Sequence, residues 1–360
     1  MIGLCFFGAA TNTMVGWLYA LSGAMLALLA IAAILPRWSL RFLAVRRRPI
    51  SPVSAGDVLT LELEVTNTGK HWCGLLEIHD RVPPSLLGTP QDRKLDALSQ
   101  GLEAIGPQSV RRVQLTSGAM RRGIYRWDTV DLRSGAPLGL FDSRCRSSAP
   151  ARAVVYPMVL PLNQCPLLDS FGEAESEQFQ PRQPDRLMTT EIVRGLRPYR
   201  SGDSLRLVHW RSSARYGELR VRELETAASG RDLIVGLDSA SAWDADDFEQ
   251  ATIAAASIYF YAYRRQLSVR FWSAGTGELR GNRQVLEALA GVQPGESSAQ
   301  AMPTLPLLWL TPNPQSFALL PAGSRWFRFG ERGESTVATL LPGFNVDRQA
   351  SLQAQLQQQL

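Results

Sequence analysis

The chain reads as a multidomain α+β protein: an N-terminal transmembrane segment, an antiparallel β-sandwich and a doubly wound α/β domain. Three observations predict this. No charged side chain occurs from Met1 to Pro36. The stretch Leu59-Thr60-Leu61-Glu62-Leu63-Glu64-Val65-Thr66 alternates strictly between apolar and polar, as a half-buried strand does. Farther on, short apolar runs at Leu233–Leu237, Val269–Trp272 and Leu305–Leu310 alternate with helix-length patterns, which is the signature of a parallel sheet between helices.

A length of 360 residues holds two or three domains, and 45% hydrophobic with 20% charged residues is ordinary for a folded chain. The net charge of +5 is carried by arginine, with Lys70 and Lys94 as the only lysines. That bias is first a matter of base composition and only then a polyanion signal. Cys5, Cys73, Cys145 and Cys165 show no CxxC spacing, which argues against a zinc site or a disulfide framework and fits a reducing compartment.

Residues 1–44 form the membrane anchor. Met14 to Leu35 would span roughly 33 Å as a helix, enough for the hydrocarbon core. Trp17, Tyr19 and Trp38 suit its interfaces. Arg37, Arg41, Arg46, Arg47 and Arg48 precede the first acid, Asp57, so the positive-inside rule places the soluble part on the cytoplasmic side of the inner membrane. Thr11-Asn12-Thr13 leaves ten residues before it, about half a bilayer; a single span and a two-helix hairpin both stay open. A cleaved signal peptide fits poorly, because the run is too long and lacks a basic start.

Residues 45–157 predict the sandwich, fibronectin- or immunoglobulin-like. After the alternating strand, Asn67-Thr68-Gly69-Lys70 reads as a turn and Trp72–Asp80 as the next strand. Val110–Leu115, Gly123–Trp127 and Ala153–Val155 supply further short strands between Gly- and Pro-containing turns. Residues 158–190 read as a linker, polar from Asn163 to Arg186 with Glu173, Glu175 and Glu177.

The segment from Glu191 to Glu225 carries eight arginines around Asp203 and Glu218. Ser201-Gly202-Asp203 is turn chemistry. Asp203 has the charge to pair with Arg206 or Arg215 and lock a loop. Leu205, Val208 and Trp210 would bury one side of a short element, and the alternation Val208-His209-Trp210 places His209 on the opposite face. The pattern Gly195-x-Arg197-x-Tyr199-x-x-Gly202-Asp203-x-x-Arg206-x-Val208-x-Trp210-x-x-Ser213-Ala214-Arg215 resembles the central motif of a bacterial family known as domain of unknown function 58. Arg122-Gly123-Ile124-Tyr125, Pro137–Phe141 and Val155-Tyr156-Pro157 resemble further family landmarks, although Ala136 stands where the family generally has Asp. The resemblance implies a membrane-anchored protein with a β-rich domain and a von Willebrand factor A-like domain. It also implies two partners, a MoxR-type AAA+ ATPase and a transglutaminase-like membrane protein.

Residues 191–345 would then hold the motif and the von Willebrand A-like domain, with a helix over Asp246–Arg265 that buries Phe248, Ile253, Ala256, Phe260 and Tyr263. Asp238 closes the first apolar run, at the carboxyl end of a strand where such sheets bind ligands. The resemblance implies Asp-x-Ser-x-Ser and a divalent ion there. The chain instead has Asp238-Ser239-Ala240-Ser241-Ala242, with alanine at both hydroxyl positions. Mg²⁺ at Asp238 would need a frame-shifted loop. The glutamine-rich residues 346–360 read as a polar tail, frayed or disordered.

There is no Walker A string, nucleophile elbow or HExxH. The expectation is a non-enzymatic, cytoplasm-facing adaptor without a cofactor, in which Arg197, Tyr199, Gly202, Asp203, Arg206, Trp210, Ser213, Ala214 and Arg215 serve structure or partner contact. A metal-dependent binding module through Asp238 and a hydrolase centred on Asp203 and His209 are the alternatives. Nucleic acid is disfavoured, because the linker acids can answer the motif's arginines.

Overall fold

A computed structural model describes residues 5, 8, 11, 16–86, 98–169, 192–199, 208–225, 232–297, 300–330 and 341–358. The chain divides into two compact units, Met1–Met158 with Leu289–Gly291, and Val159–Ala288 with Val292–Leu360.

In the first unit, helix α1 (Gly16–Leu40) is long and apolar enough to cross a membrane. Ala32, Pro36 and Leu40 are buried at a spacing of four, one stripe of the helix, and α1 packs against the strands β7 and β8 defined below. Two sheets follow. The first contains β1 (Leu43–Arg47), β3 (Val58–Asn67) and β6 (Val110–Gly118), in the order β1-β3-β6. The second contains β2 (Val53–Ser54), β4 (Leu76–Asp80), β5 (Leu98–Leu102), β7 (Gly123–Ser134) and β8 (Ser143–Tyr156), in the order β2-β8-β7-β4-β5. All pairs are antiparallel except β2 with β8. The sheets share one core, with Leu59, Leu61, Leu63 and Val65 from β3 meeting Ile78, Val130, Leu132, Ala153 and Val155. The alternation of β3 is realised residue by residue.

Three strand expectations change. The strand expected from Trp72 begins only at Leu76. The Asn67 amide donates to the carbonyls of His71, Ile105 and Gly106, and Leu75 takes a left-handed φ of 45°, so residues 68–75 form a shaped loop that keeps the bridge of Cys73 to Ile105. Strands expected over Gly123–Trp127 and Ala153–Val155 extend to 12 and 14 residues. The added length of β7 continues the alternation through Val130 and Leu132, whereas that of β8 is mostly Ser, Arg and Ala and carries no apolar alternation. The register of the pair shifts between Trp127 and Thr129, opposite the segment holding Pro150, where a proline needs no ladder partner.

The second unit is built on a six-stranded sheet of β11 (Asp232–Leu237), β12 (Ser268–Ser273), β13 (Gly277–Leu279), β14 (Leu307–Thr311), β15 (Arg325–Arg328) and β16 (Gly343–Asn345). The order is β13-β12-β11-β14-β15-β16, parallel except for the edge strand β13. β11 is central, and Gly236 in it is required, because a Cβ there would lie 2.6 Å from the Trp309 ring. Short helix α2 (Pro166–Asp169) precedes the family segment, which holds β9 (Ile192–Pro198), α3 (Trp210–Tyr216) and β10 (Arg220–Glu225).

Helix α4 (Ala245–Arg264) is capped by Asp244 and buries Phe248 and Ala256 as expected, but Tyr263 is exposed. Helix α5 spans Asn282–Gly291. The C-terminal stretch expected to fray is instead docked. Helix α6 (Leu352–Leu356) buries Leu352 and Leu356, and the Gln355 side chain bonds both the N–H and the carbonyl of Asp347. Gln353 reaches the Pro161 carbonyl at 2.7 Å. Glutamine acts here as a two-way amide clip, which the polar composition conceals.

Candidate functional site

Two places emerge from the sequence, the family segment and the end of the central strand. In the segment, β9 and β10 form an antiparallel ribbon. Buried Val208 bridges to Val221, and the Tyr199 N–H donates to the Leu219 carbonyl at 2.8 Å. Gly202, Asp203 and Arg206, and the side chain of Arg197, lie outside the described residues.

His209 does not sit on one face of an extended strand. It is the N-cap of α3: its carbonyl accepts the Ser212 and Ser213 N–H groups, and its Nδ1 accepts from the Ser212 N–H at 3.2 Å. Ser213 is buried, donates its hydroxyl to the His209 carbonyl and accepts the Arg220 N–H at 2.9 Å. Gly217 closes the helix with φ 73° and an N–H to the Ser213 carbonyl. The sequence did hold a signal for this helix, a glycine one position past Tyr216.

The consequence falls on Trp210. Expected to be buried beside Val208, it stands at the first helical position and is 64% exposed. Arg211, Ala214 and Arg215 are exposed beside it, as are Tyr216 and Leu219. The Arg220 guanidinium stacks 4.1 Å from the Tyr216 ring and bonds Glu218 at 2.8 Å. The module thus consumes His209 and Ser213 internally while presenting aromatic and guanidinium groups to the outside.

At the second place, Asp238 is buried. Its N–H bonds the Leu310 carbonyl, fixing it between β11 and β14. Oδ2 accepts from Ser241 Oγ at 2.7 Å and from Thr311 Oγ1 at 2.5 Å, and the Trp243 indole donates to the Asp238 carbonyl. Ser239, fully buried, faces away and takes the Ala274 N–H. Thr311 reaches Asp238 across 73 positions of sequence, a link that no local pattern marks.

The residues at Asp238 do not fit a dedicated Mg²⁺ site. Among the described residues no three His, Cys, Asp or Glu side chains converge. The single carboxylate has one oxygen taken by two hydroxyl donors, and alanine fills both expected hydroxyl positions.

The first unit holds two further carboxylate clusters. Arg47 of β1 forms a bidentate pair with Asp80 of β4, both buried, and Asp80 also accepts the Trp127 indole N–H at 2.8 Å. Asp131 lies among Arg81, Arg144 and Arg146. Burial would push its carboxyl up, but hydrogen bonds and charge from Arg144 and Arg81 outweigh burial and hold it below the usual range. All four cysteines are free, and burial pushes the Cys165 thiol up to about 12, into an unreactive state.

Residues 195–278 match the family described as "Protein of unknown function DUF58". No curated protein matches the chain. Among solved structures, the CARDB domain of the PF1109 protein from Pyrococcus furiosus is 12% identical with a TM-score of 0.22, over 31% of this chain and 86% of that one. The GH20 exo-β-N-acetylglucosaminidase of Vibrio harveyi is 10% identical with a TM-score of 0.19, over 64% and 46%. β-Glucosidase 3B of Thermotoga neapolitana is 11% identical with a TM-score of 0.16, over 31% and 16%. At these scores the likenesses carry no structural or functional argument.

Proposed function

We propose that this chain, a member of the DUF58 family of unknown function through residues 195–278, is a membrane-anchored, non-enzymatic scaffold that holds a protein partner through its family segment. One observation carries the reading. The segment exposes Trp210, with Tyr216 and Leu219 nearby, among the guanidiniums of Arg211 and Arg215. Exposed aromatic and arginine side chains are the residue types that dominate binding energy at protein interfaces. The polar groups a hydrolase would draw on, His209 and Ser213, are engaged in holding α3.

The anchor is α1, and the arginines after it favour a cytoplasmic face. Two sheets over one core support the fibronectin-like reading of the first unit. The strand order with its antiparallel edge supports a von Willebrand A-like second unit. By family resemblance, the partner is a MoxR-type AAA+ ATPase, with a transglutaminase-like membrane protein as a neighbour.

A photo-crosslinking residue at Trp210 tests this in native membranes. The expected product joins the chain to an AAA+ ATPase, and the same probe at exposed Gln250 on α4 yields none. Equal labelling at both positions, or no protein adduct at Trp210, defeats the reading.

A further inference from the structure

The strands of the first unit converge on one end. β1 starts there at Leu43, three residues after α1 stops. β3 ends there at Asn67, paired with Leu43, and β6 begins there, with Val110 paired to Thr66. β4 begins there at Leu76, paired with Ser134 at the end of β7, and Ser134 pairs with Ser143 at the start of β8. The loops at that end are therefore held where the apolar helix terminates.

Those loops are locked onto the helix end and onto each other. Thr68 gives its N–H and its hydroxyl to the Phe42 carbonyl, both at 2.8 Å. The Trp38 ring lies 5.6 Å from Phe42 and 5.5 Å from His71. Asn67, fully buried, pins the loop from beneath through three carbonyls. Ser134 Oγ bonds the Gly74 carbonyl, and the Gly135 N–H bonds the Leu75 carbonyl, so the β7–β8 hairpin tip rests on the same loop.

On this rigid base the outward side chains are apolar. Trp72 is 70% exposed, and Leu75, Leu138, Leu140 and Phe141 are exposed with it. A cleft of about 250 Å³ opens between Leu35, Trp38, Phe42 and Trp72. Exposed apolar groups gathered on ordered loops mark an interaction surface. The helix says which surface. Trp17 and Trp38 are 21 residues apart, roughly 31 Å along a helix, close to the thickness of the hydrocarbon core. Both indoles are exposed, as at the two interfaces of a bilayer. Trp38 thus marks the interface, and the loop carrying His71 and Trp72 lies against it. Arg37, Arg41 and Lys70 are exposed at this end, matching anionic headgroups. Of the acids at this end, Glu103 is paired with Arg111, and Asp142 adjoins the hairpin tip.

We infer that this end of the first unit is a lipid-contacting foot. The Trp72 loop and the Leu138–Phe141 tip enter the interface of the leaflet in which α1 ends, with Arg37, Arg41 and Lys70 at the level of anionic phosphates. The inference rests on α1 spanning the membrane. It adds that the soluble unit is seated on the bilayer, not hung below it on a tether.

The full chain, with Cys5→Ser and Cys145→Ser and the buried Cys73 and Cys165 kept, is spin-labelled singly at Trp72→Cys, Leu140→Cys, Met120→Cys or Ile31→Cys. It is reconstituted in nanodiscs of phosphatidylcholine with phosphatidylglycerol. Oxygen and a water-soluble nickel chelate report depth. The expected result is that labels at 72 and 140 shift toward the lipid-buried ratio of 31, while 120, exposed at the other end of the unit, remains chelate-accessible. The triple substitution Arg37→Gln, Arg41→Gln, Lys70→Gln should shift 72 and 140 back toward water. If 31 is in lipid but 72 and 140 match 120, the foot is overturned and the anchor stands. If 31 itself is chelate-accessible, both fall.

Discussion

Two buried aspartates, one in each unit, are stabilised in opposite ways. Asp80 joins the two sheets of the first unit through the Arg47 guanidinium, and within its own sheet it accepts the Trp127 indole N–H. Among the described residues, the carboxylate of Asp238, at the carboxyl end of the central strand of the second unit, accepts from the hydroxyls of Ser241 and Thr311. The first is a charge answered by a charge, and its placement between sheets makes it a structural stitch. The second is a carboxylate held by neutral donors at the position where parallel sheets bind ligands. Location alone would have made Asp238 the reactive group, but its partners make it a clasp between β11, the following loop and β14.

Breaking the stitch should give the largest effect. Asp80→Ala leaves Arg47 buried without a counter-charge, and removing one partner of a buried pair costs about 3–5 kcal/mol. Chemical denaturation should show that loss in the first unit. The double variant Arg47→Met, Asp80→Leu should recover much of it, since the penalty lies in the orphaned charge. A single variant no less stable than the wild type would show that the pair does not hold the sheets together.

The clasp should be weaker. Asp238→Ala strands the Thr311 and Ser241 hydroxyls and should cost about 1–3 kcal/mol. Thermal melting of the wild type should not change when Mg²⁺ replaces a chelator. A rise in midpoint with Mg²⁺ that Asp238→Ala abolishes would reinstate the metal reading.

Asp131 sharpens the contrast through pH. Burial opposes its ionisation, but Arg144 and Arg81 prevail and its folded carboxyl titrates below the unfolded one. A depressed folded value means that the stabilisation is present above the unfolded carboxylate pKa of about 3.9 and is lost as pH falls through the folded value. Acid unfolding of Asp131→Asn should therefore show a shallower decline below about pH 4 than the wild type. Identical acid limbs would assign the decline to other carboxylates.

These contrasts also show what the sequence could reveal. The alternation of Leu59–Val65 and the run Leu233–Leu237 were legible because an apolar face must be buried, and periodicity records it. Strand β8 was not, because Ser, Arg and Ala join the ladder through backbone bonds that leave no mark on hydropathy. Asp238 was legible as a strand-end carboxylate. Its partner Thr311 lies 73 positions away, a distance only the sheet order closes. The family segment was recognisable by its motif, yet Trp210 was misplaced, because reading Val208 to Trp210 as extended overlooked the cap that His209 makes.

That cap supplies the smallest and most discriminating test, since it asks of His209 what Mg²⁺ asks of Asp238: whether the polar group holds or reacts. Its Nδ1 accepts the Ser212 N–H, so the side chain serves the cap as an acceptor. Asparagine is among the best N-caps and alanine among the poorest, a difference of about 1 kcal/mol. His209→Asn should therefore leave the melting midpoint and the Trp210 crosslink as they are in the wild type. His209→Ala should lower the midpoint and weaken the crosslink as α3 frays. If His209→Asn kept the fold but abolished a measured hydrolytic activity, His209 would be a base and the scaffold reading would fall, because an amide can replace the acceptor and cannot replace the proton transfer.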